Sequence, residues 1–198
     1  MRLVVASGNT GKLAEIRHVL AGADVELVAQ AEFGIADAEE TGQTFVENAL
    51  IKARHACAQS GLPALADDSG LIVDALHGAP GLISAHYAGV HGDAARNIAK
   101  VLEQLHGVAD AQRGARFYSV IVLLKHAHDP QPLIAEGSIE GRILDTPRGS
   151  NGFGFDPVMF IPQFGQTFAE LPTEVKNAHS HRGRAAQQML ALMRERWF

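Results

Sequence analysis

Apolar residues in this chain follow two alternating rhythms. "RLVVAS", residues 2–7, is a continuous run of strand length, and "TGKLAEIRHVLAG" after it places Leu13, Ile16, Val19 and Leu20 at helical spacing. "VELVAQ" predicts a second strand. Over "TGQTFVENALIKARHACAQSG", Phe45, Ala49, Ala53 and Ala56 line one helical face, with Thr44 as N-cap and Gly61 as stop. "LPALA" and "LIVDAL" predict short strands on either side of "DDSG", residues 67–70, which is predicted to turn. "GDAARNIAKVLEQLHG" predicts a third helix, apolar at Ile98, Val101, Leu102 and Leu105.

The rhythm then lengthens. "ARFYSVIVLLKH", "QPLIAEGSIEGRIL" and "FGFDPVMFIP" predict long strands, and "SHRGRAAQQMLALMRERW" an amphipathic closing helix. No repeat, low-complexity segment or linker interrupts the chain. An early β-α-β order with long later strands predicts an α/β fold with a mixed, twisted central sheet. Flanking helices on both faces would form two lobes around a substrate groove, within one domain over residues 1–198.

Composition narrows the function classes. A chain of 198 residues buries roughly 70% of its unfolded surface, so its core needs no covalent staples. Cys57 is the only cysteine, which excludes an intrachain disulfide and fits a reducing compartment. Its Ala-rich helix predicts a buried, inert thiol. No apolar run approaches the ~20 residues of a membrane span, and the N-terminal run is too short for a signal peptide. The expectation is a soluble cytoplasmic protein without a membrane partner. A formal net charge of −5 argues against broad nucleic-acid binding. A polyanionic ligand must therefore meet a local basic cluster or bring a metal. Of the ten histidines, only His126/His128 and His179/His181 are closely paired, with no further ligand at structural spacing, so no zinc site is expected.

Several segments carry chemistry-bearing residues, each with an ordinary structural alternative. In "ASGNTGK", Ser7, Gly8, Asn9 and Gly11 let backbone N–H groups approach an anion at a helix N-terminus, and Lys12 adds a full charge. The spacing is not that of a Walker A loop, and a plain strand-to-helix turn capped by Asn9 or Thr10 also fits. "AEETG" offers Glu39 or Glu40, or a solvated loop. Asp67 and Asp68 can ligate a hard cation or accept a proton from water, or lie in a polar turn. Asn48 and Lys52 share a helix face. "SNGFGFDP" suits either a flat base held by rings and backbone or a bulge with core aromatics. "EVKNAHSHRG" gathers Lys176, His181 and Arg182, or simply caps a helix at Ser180.

Taken in order, "SGNTGK", "EETGQTFVENALIKA", "ALADDSGL", "GAPGLISAHYAG", "GSNGFGFDPVMF" and "AELPTEVKNAHSHRGRA" resemble the inosine triphosphate pyrophosphatase family. The resemblance spans Ser7 to Ala185. It implies Mg²⁺-dependent hydrolysis of ITP, dITP and XTP to the monophosphate and pyrophosphate, by a homodimer. By position, it implies that Ser7, Gly8, Asn9, Thr10, Gly11 and Lys12 hold the triphosphate, with Lys52 neutralising the leaving group. Asp68 would be the general base, and Glu39 with Asp68 would hold the metal. Ser69, Phe153, Gly154, Phe155, Asp156, Lys176, His181 and Arg182 would contact the nucleotide. On this reading the positive partner of the Asp67–Asp68 pair is Mg²⁺ with its phosphates. The sequence departs from the family at His86, where Arg is usual. A pyrophosphatase for other modified nucleotides and a catalytically silent nucleotide sensor are the alternatives.

Overall fold

The computed structural model describes residues 1–197. The strands are β1 (Arg2–Val5), β2 (Glu26–Ala29), β3 (Ala64–Val73), β4 (Gly114–Leu124), β5 (Leu133–Ile143), β6 (Met159–Ile161) and β7 (Gln166–Thr167). The helices are α1 (Thr10–Leu20), α2 (Phe45–Ser60), α3 (Ala94–Gln104), α4 (Thr173–His179) and α5 (His181–Arg196). The sheet order is β2-β1-β3-β4-β5-β6-β7. β1 runs parallel to β2 and β3, whereas β5, β6 and β7 pair antiparallel, so the sheet is mixed. This is the predicted α/β class.

Contacts divide the chain into two compact units. The first comprises Met1–Asp68, Ser119–Gly137 and the stretch from His181 onward, and the second Ser69–Tyr118 and Ser138–Ser180. In the first, Leu3 and Val5 of β1 join Leu65, Ile121 and Leu123 against Ile16 and Leu20 of α1 and Ala185, Ala186, Met189 and Met193 of α5. Each fully buried aliphatic side chain contributes about 1.5–3 kcal/mol. Strand side chains alternate between faces, so Val4, Ala64 and Ala66 point the other way. There α2, which packs on β1, presents Ala49, Ala53 and Ala56, all fully buried. Small residues on both sides let that helix lie close to the sheet.

Caps match the predictions. Thr44 accepts from the Glu47 N–H, Glu47 returns a bond to the Gln43 N–H, and Gly61 (φ 68°) closes α2 onto the Cys57 carbonyl. In the second unit, Ile98, Val101 and Leu105 of α3 pack with Leu71 and Val73 of β3, Phe117 of β4, and Phe155, Met159 and Phe168.

Two expectations fail. Residues 67–70 do not turn: β3 continues unbroken through Asp67, Asp68, Ser69 and Gly70. "FGFDPVMFIP" is not a long strand, because tight turns over residues 151–158 leave only β6. Gly152 and Gly154, at φ 76° and 62°, take the left-handed conformations those turns need. Of the basic cluster, Lys176 lies in a short helix, α4, while His181 and Arg182 open α5, with Ser180 extended between the two helices. Among the described residues, no helix is long and apolar enough to cross a membrane.

Candidate active site

Neighbouring carboxylates persist in β3 because the strand sends them to opposite faces. Asp67 shares the side of Leu65, towards α1 and α5. Its Oδ2 lies 2.9 Å from Lys12 Nζ on α1, and its Oδ1 accepts from Ser119 Oγ and, at 3.3 Å, from Arg182 Nε on α5. Burial would raise this carboxyl's pKa, but Arg182 and then Lys12 hold it well below the usual carboxylate range. Asp67 is therefore a fixed, buried anion.

Asp68 faces α2. Its Oδ1 accepts from Lys52 Nζ at 2.9 Å, and Lys52 also reaches Glu40 Oε1 at 2.8 Å. Its Oδ2 is buried without a hydrogen-bond partner. Burial pushes the Asp68 carboxyl up, Lys52 and Lys12 pull it down, Glu40 pushes it up again, and the net direction is upward. A carboxylate with one oxygen held and the other free suits a proton acceptor or a ligand for a hard cation. The two carboxylates thus have protein cations as partners, Lys12 and Arg182 for one and Lys52 for the other. A metal is not needed to explain the pair, contrary to the sequence expectation.

The segment from Ser7 to Lys12 forms a strand-to-helix turn capped by Asn9, the plainer of the two readings of the sequence. Its side chain accepts from the Lys12 N–H at 3.0 Å, and Ser7 Oγ accepts from the Asn9 N–H at 3.2 Å. Thr10 and Gly11 open α1. A Cβ on Gly8 would lie 2.7 Å from Asp37 Oδ2, so a side chain there would push the exposed Asp37 carboxylate aside. Gln30 donates to the same Asp37 carboxylate.

In the second unit, Lys176 Nζ lies 2.6 Å from Asp156 Oδ2 and 4.5 Å from the centroid of the Phe153 ring. The Phe153 N–H donates to Asp156 Oδ2 at 2.8 Å. Phe153 is 39% exposed, while Lys176 and Asp156 are buried. An open aromatic face beside a buried ammonium and carboxylate can stack a flat base and read its polar edge. Gly154 lies in the same turn, and Phe155 is buried in the core. Ser69 sits half-buried in β3 directly after Asp68.

The structure distributes the remaining candidates unevenly. Arg182 is fully buried between Glu15 and Asp67, and His181 beside it is also buried. Glu39 and Glu40 are both exposed, and Glu40 pairs with Lys52, which also holds Asp68. His86 is exposed and stacks on His91 with ring centroids 6.5 Å apart. Sequence reasoning missed Glu15, Ser119 and the anchoring part of Asp67. Glu15 had a signal: it sits three residues after Lys12, at the edge of the apolar face of α1.

Residues 3–192 match the Ham1 family. A dITP/XTP pyrophosphatase of Xylella fastidiosa (strain 9a5c) is 61% identical over 188 residues, covering 95% of this chain and 94% of that protein. The dITP/XTP pyrophosphatase of Paracidovorax citrulli (strain AAC00-1) is 59% identical over 201 residues and covers 100% of both. Among solved structures, a HAM1 protein from Coxiella burnetii superposes with a TM-score of 0.92 at 50% identity, over 98% of this chain and 99% of that one. A nucleoside-triphosphatase / dITP/XTP pyrophosphatase from Mycobacterium abscessus gives 0.77 at 44% identity, over 96% and 99%. The family match begins in β1 and ends in α5, and the resemblance drawn from the motifs holds: this chain belongs to the Ham1 family.

Proposed function

We propose that this chain hydrolyses dITP, ITP and XTP to the nucleoside monophosphate and pyrophosphate, with Mg²⁺ as cofactor. The observation that carries the reading is Asp68, a buried carboxylate with one oxygen held by Lys52 and the other without a partner. Relatives named dITP/XTP pyrophosphatases, 59–61% identical over most of the chain, supply the substrate class.

The donor set fits Mg²⁺. Among the described residues no group of three His, Cys, Asp or Glu side chains could hold a metal. Mg²⁺ usually takes only one or two carboxylates, with phosphates and water completing its shell. Asp68, with Glu39 or Glu40 from the acidic loop, matches that need. When bound, the ion would neutralise phosphate charge and favour departure of pyrophosphate.

The rest falls to the protein's own groups. Asp68 takes a proton from water as its oxygen bonds to the α-phosphorus. The bond from that phosphorus to the oxygen bridging to the β-phosphate breaks, and pyrophosphate leaves with that oxygen. Lys12 and Lys52 offset its charge, and the N-terminus of α1 adds backbone donors. In the second unit, Phe153 stacks the base and the Lys176 ammonium donates to the 6-keto oxygen. Adenine presents an amino donor there, leaving the ammonium unmatched, a mismatch that costs up to about 10⁴-fold where a site is built around one hydrogen bond.

The reading includes a homodimer acting in the cytoplasm, to which the resemblance and the single buried cysteine lend support. Sedimentation at micromolar concentration tests the dimer. The chemistry is tested by turnover of ITP in ¹⁸O-water: the account expects label in IMP, and label in pyrophosphate or free phosphate contradicts it.

A further inference from the structure

We infer that Glu15 is a positioning residue for Lys12, acting through Arg182 and Asp67. The inference rests on the proposal that Lys12 meets the triphosphate. Glu15 and Lys12 stand three residues apart on α1, and each holds one end of the same chain of charges. Lys12 Nζ pairs with Asp67 Oδ2 at 2.9 Å, Asp67 Oδ1 accepts from Arg182 Nε at 3.3 Å, and Arg182 Nη1 donates to Glu15 Oε2. Glu15, Asp67 and Arg182 are all at least nine-tenths buried, while Lys12 keeps some exposure.

Alternating charges in a buried row fix one another. Arg182 is shared between two carboxylates that approach it from α1 and β3. Without Glu15, the buried guanidinium draws more strongly on Asp67, because a buried charge that loses a counter-ion is costly. Asp67 then turns from Lys12, and the ammonium loses the contact that aims it. Glu15 does not reach the ligand in this account. It sets where the lysine stands.

A positioning role and a simple field effect differ in sign. Removing a nearby anion would by field alone tighten binding of a polyanion, whereas loss of positioning weakens it. Binding of inorganic tripolyphosphate with Mg²⁺, and KM and kcat for ITP, are measured for wild type, Glu15→Gln, Lys12→Ala and the double variant. The expected result is tripolyphosphate binding about tenfold weaker and KM about tenfold higher in Glu15→Gln, with kcat within about twofold. In the double variant the losses should not exceed those of Lys12→Ala alone. Unchanged or tighter binding in Glu15→Gln, or losses that multiply in the double variant, would overturn the inference. Should Glu15→Gln not fold, Glu15→Asp keeps the charge with a shorter reach and is read through the same cycle, with about a threefold effect expected. Wild-type protein that neither binds tripolyphosphate nor hydrolyses ITP overturns the proposed function itself. Hydrolysis of ITP with multiplying losses overturns only the positioning role.

Discussion

Lys52 donates to Oδ1 of Asp68 at 2.9 Å, leaving Oδ2 of the same carboxylate buried and without a partner. Asp68→Asn keeps the shape but removes the proton acceptor and the anionic ligand. We expect kcat for ITP at saturating Mg²⁺ to fall at least about 10²-fold, since a positioned base contributes 10²–10⁴. The melting temperature should stay within a few degrees, because burial already disfavours the charge at this position. A variant that turns over normally would remove Asp68 from the chemistry.

Asp67→Asn should show the opposite balance. It withdraws a fully buried anion from Lys12 and Arg182, and breaking a buried ion pair costs about 3–5 kcal/mol. Arg182 retains Glu15, so the lower end applies, about 3 kcal/mol. At roughly 2–4 °C per kcal/mol for a chain of this size, the melting temperature should drop by about 6–12 °C. Calorimetry of the two asparagine variants separates anchor from base: an Asp67→Asn protein as stable as wild type contradicts the anchoring role.

Gly137 of β5 lies under the first turn of α5, where a Cβ would come within 2.1 Å of the His181 carbonyl oxygen and 2.6 Å of the Ala185 nitrogen. Both are backbone atoms of the turn that carries Arg182, and neither can swing aside. Gly137→Ala should cost about 3 kcal/mol, the upper end of ordinary overpacking, measured by urea denaturation. A loss under about 0.5 kcal/mol would show that α5 shifts freely over the sheet.

What the sequence made legible was whatever local pattern controls. Helical spacing located α1, α2 and α3, and Thr44 and Gly61 bounded α2 as expected. The unbroken course of β3 was not legible, because two adjacent aspartates look like a turn until Lys12, Arg182 and Lys52 arrive from three different helices. Those partners lie up to 115 residues away in sequence, and no local rule pairs them. The turns over residues 151–158 were hidden for a different reason: Phe155, Val158 and Met159 are apolar because they are core, not because they alternate in a strand. Motif order, by contrast, located Asp68, Lys12 and the Phe153–Asp156 segment in the sequence.

Cys57 sits on the buried face of α2 with its thiol directed at the Leu124 carbonyl, and burial pushes its pKa up from 9.0 to about 11. The raised value means the folded state holds the proton more tightly than the unfolded one. This contribution to stability is fully present below pH 9 and is lost as pH rises towards 11. Cys57→Ala should therefore show a smaller fall in melting temperature between those limits than wild type. Equal alkaline losses in both proteins would place the sensitive group elsewhere.

At the centre of this reading is a pyrophosphohydrolase for ITP, dITP and XTP that needs a divalent cation. Its most direct test is pyrophosphate release from ITP, dITP, XTP and the four standard triphosphates, with Mg²⁺ and again after EDTA. The account predicts pyrophosphate from ITP, dITP and XTP, with kcat/KM at least about 10²-fold above that for ATP, and none once the metal is chelated. Equal turnover of ATP and ITP, release of single phosphates, or full activity in EDTA would contradict it.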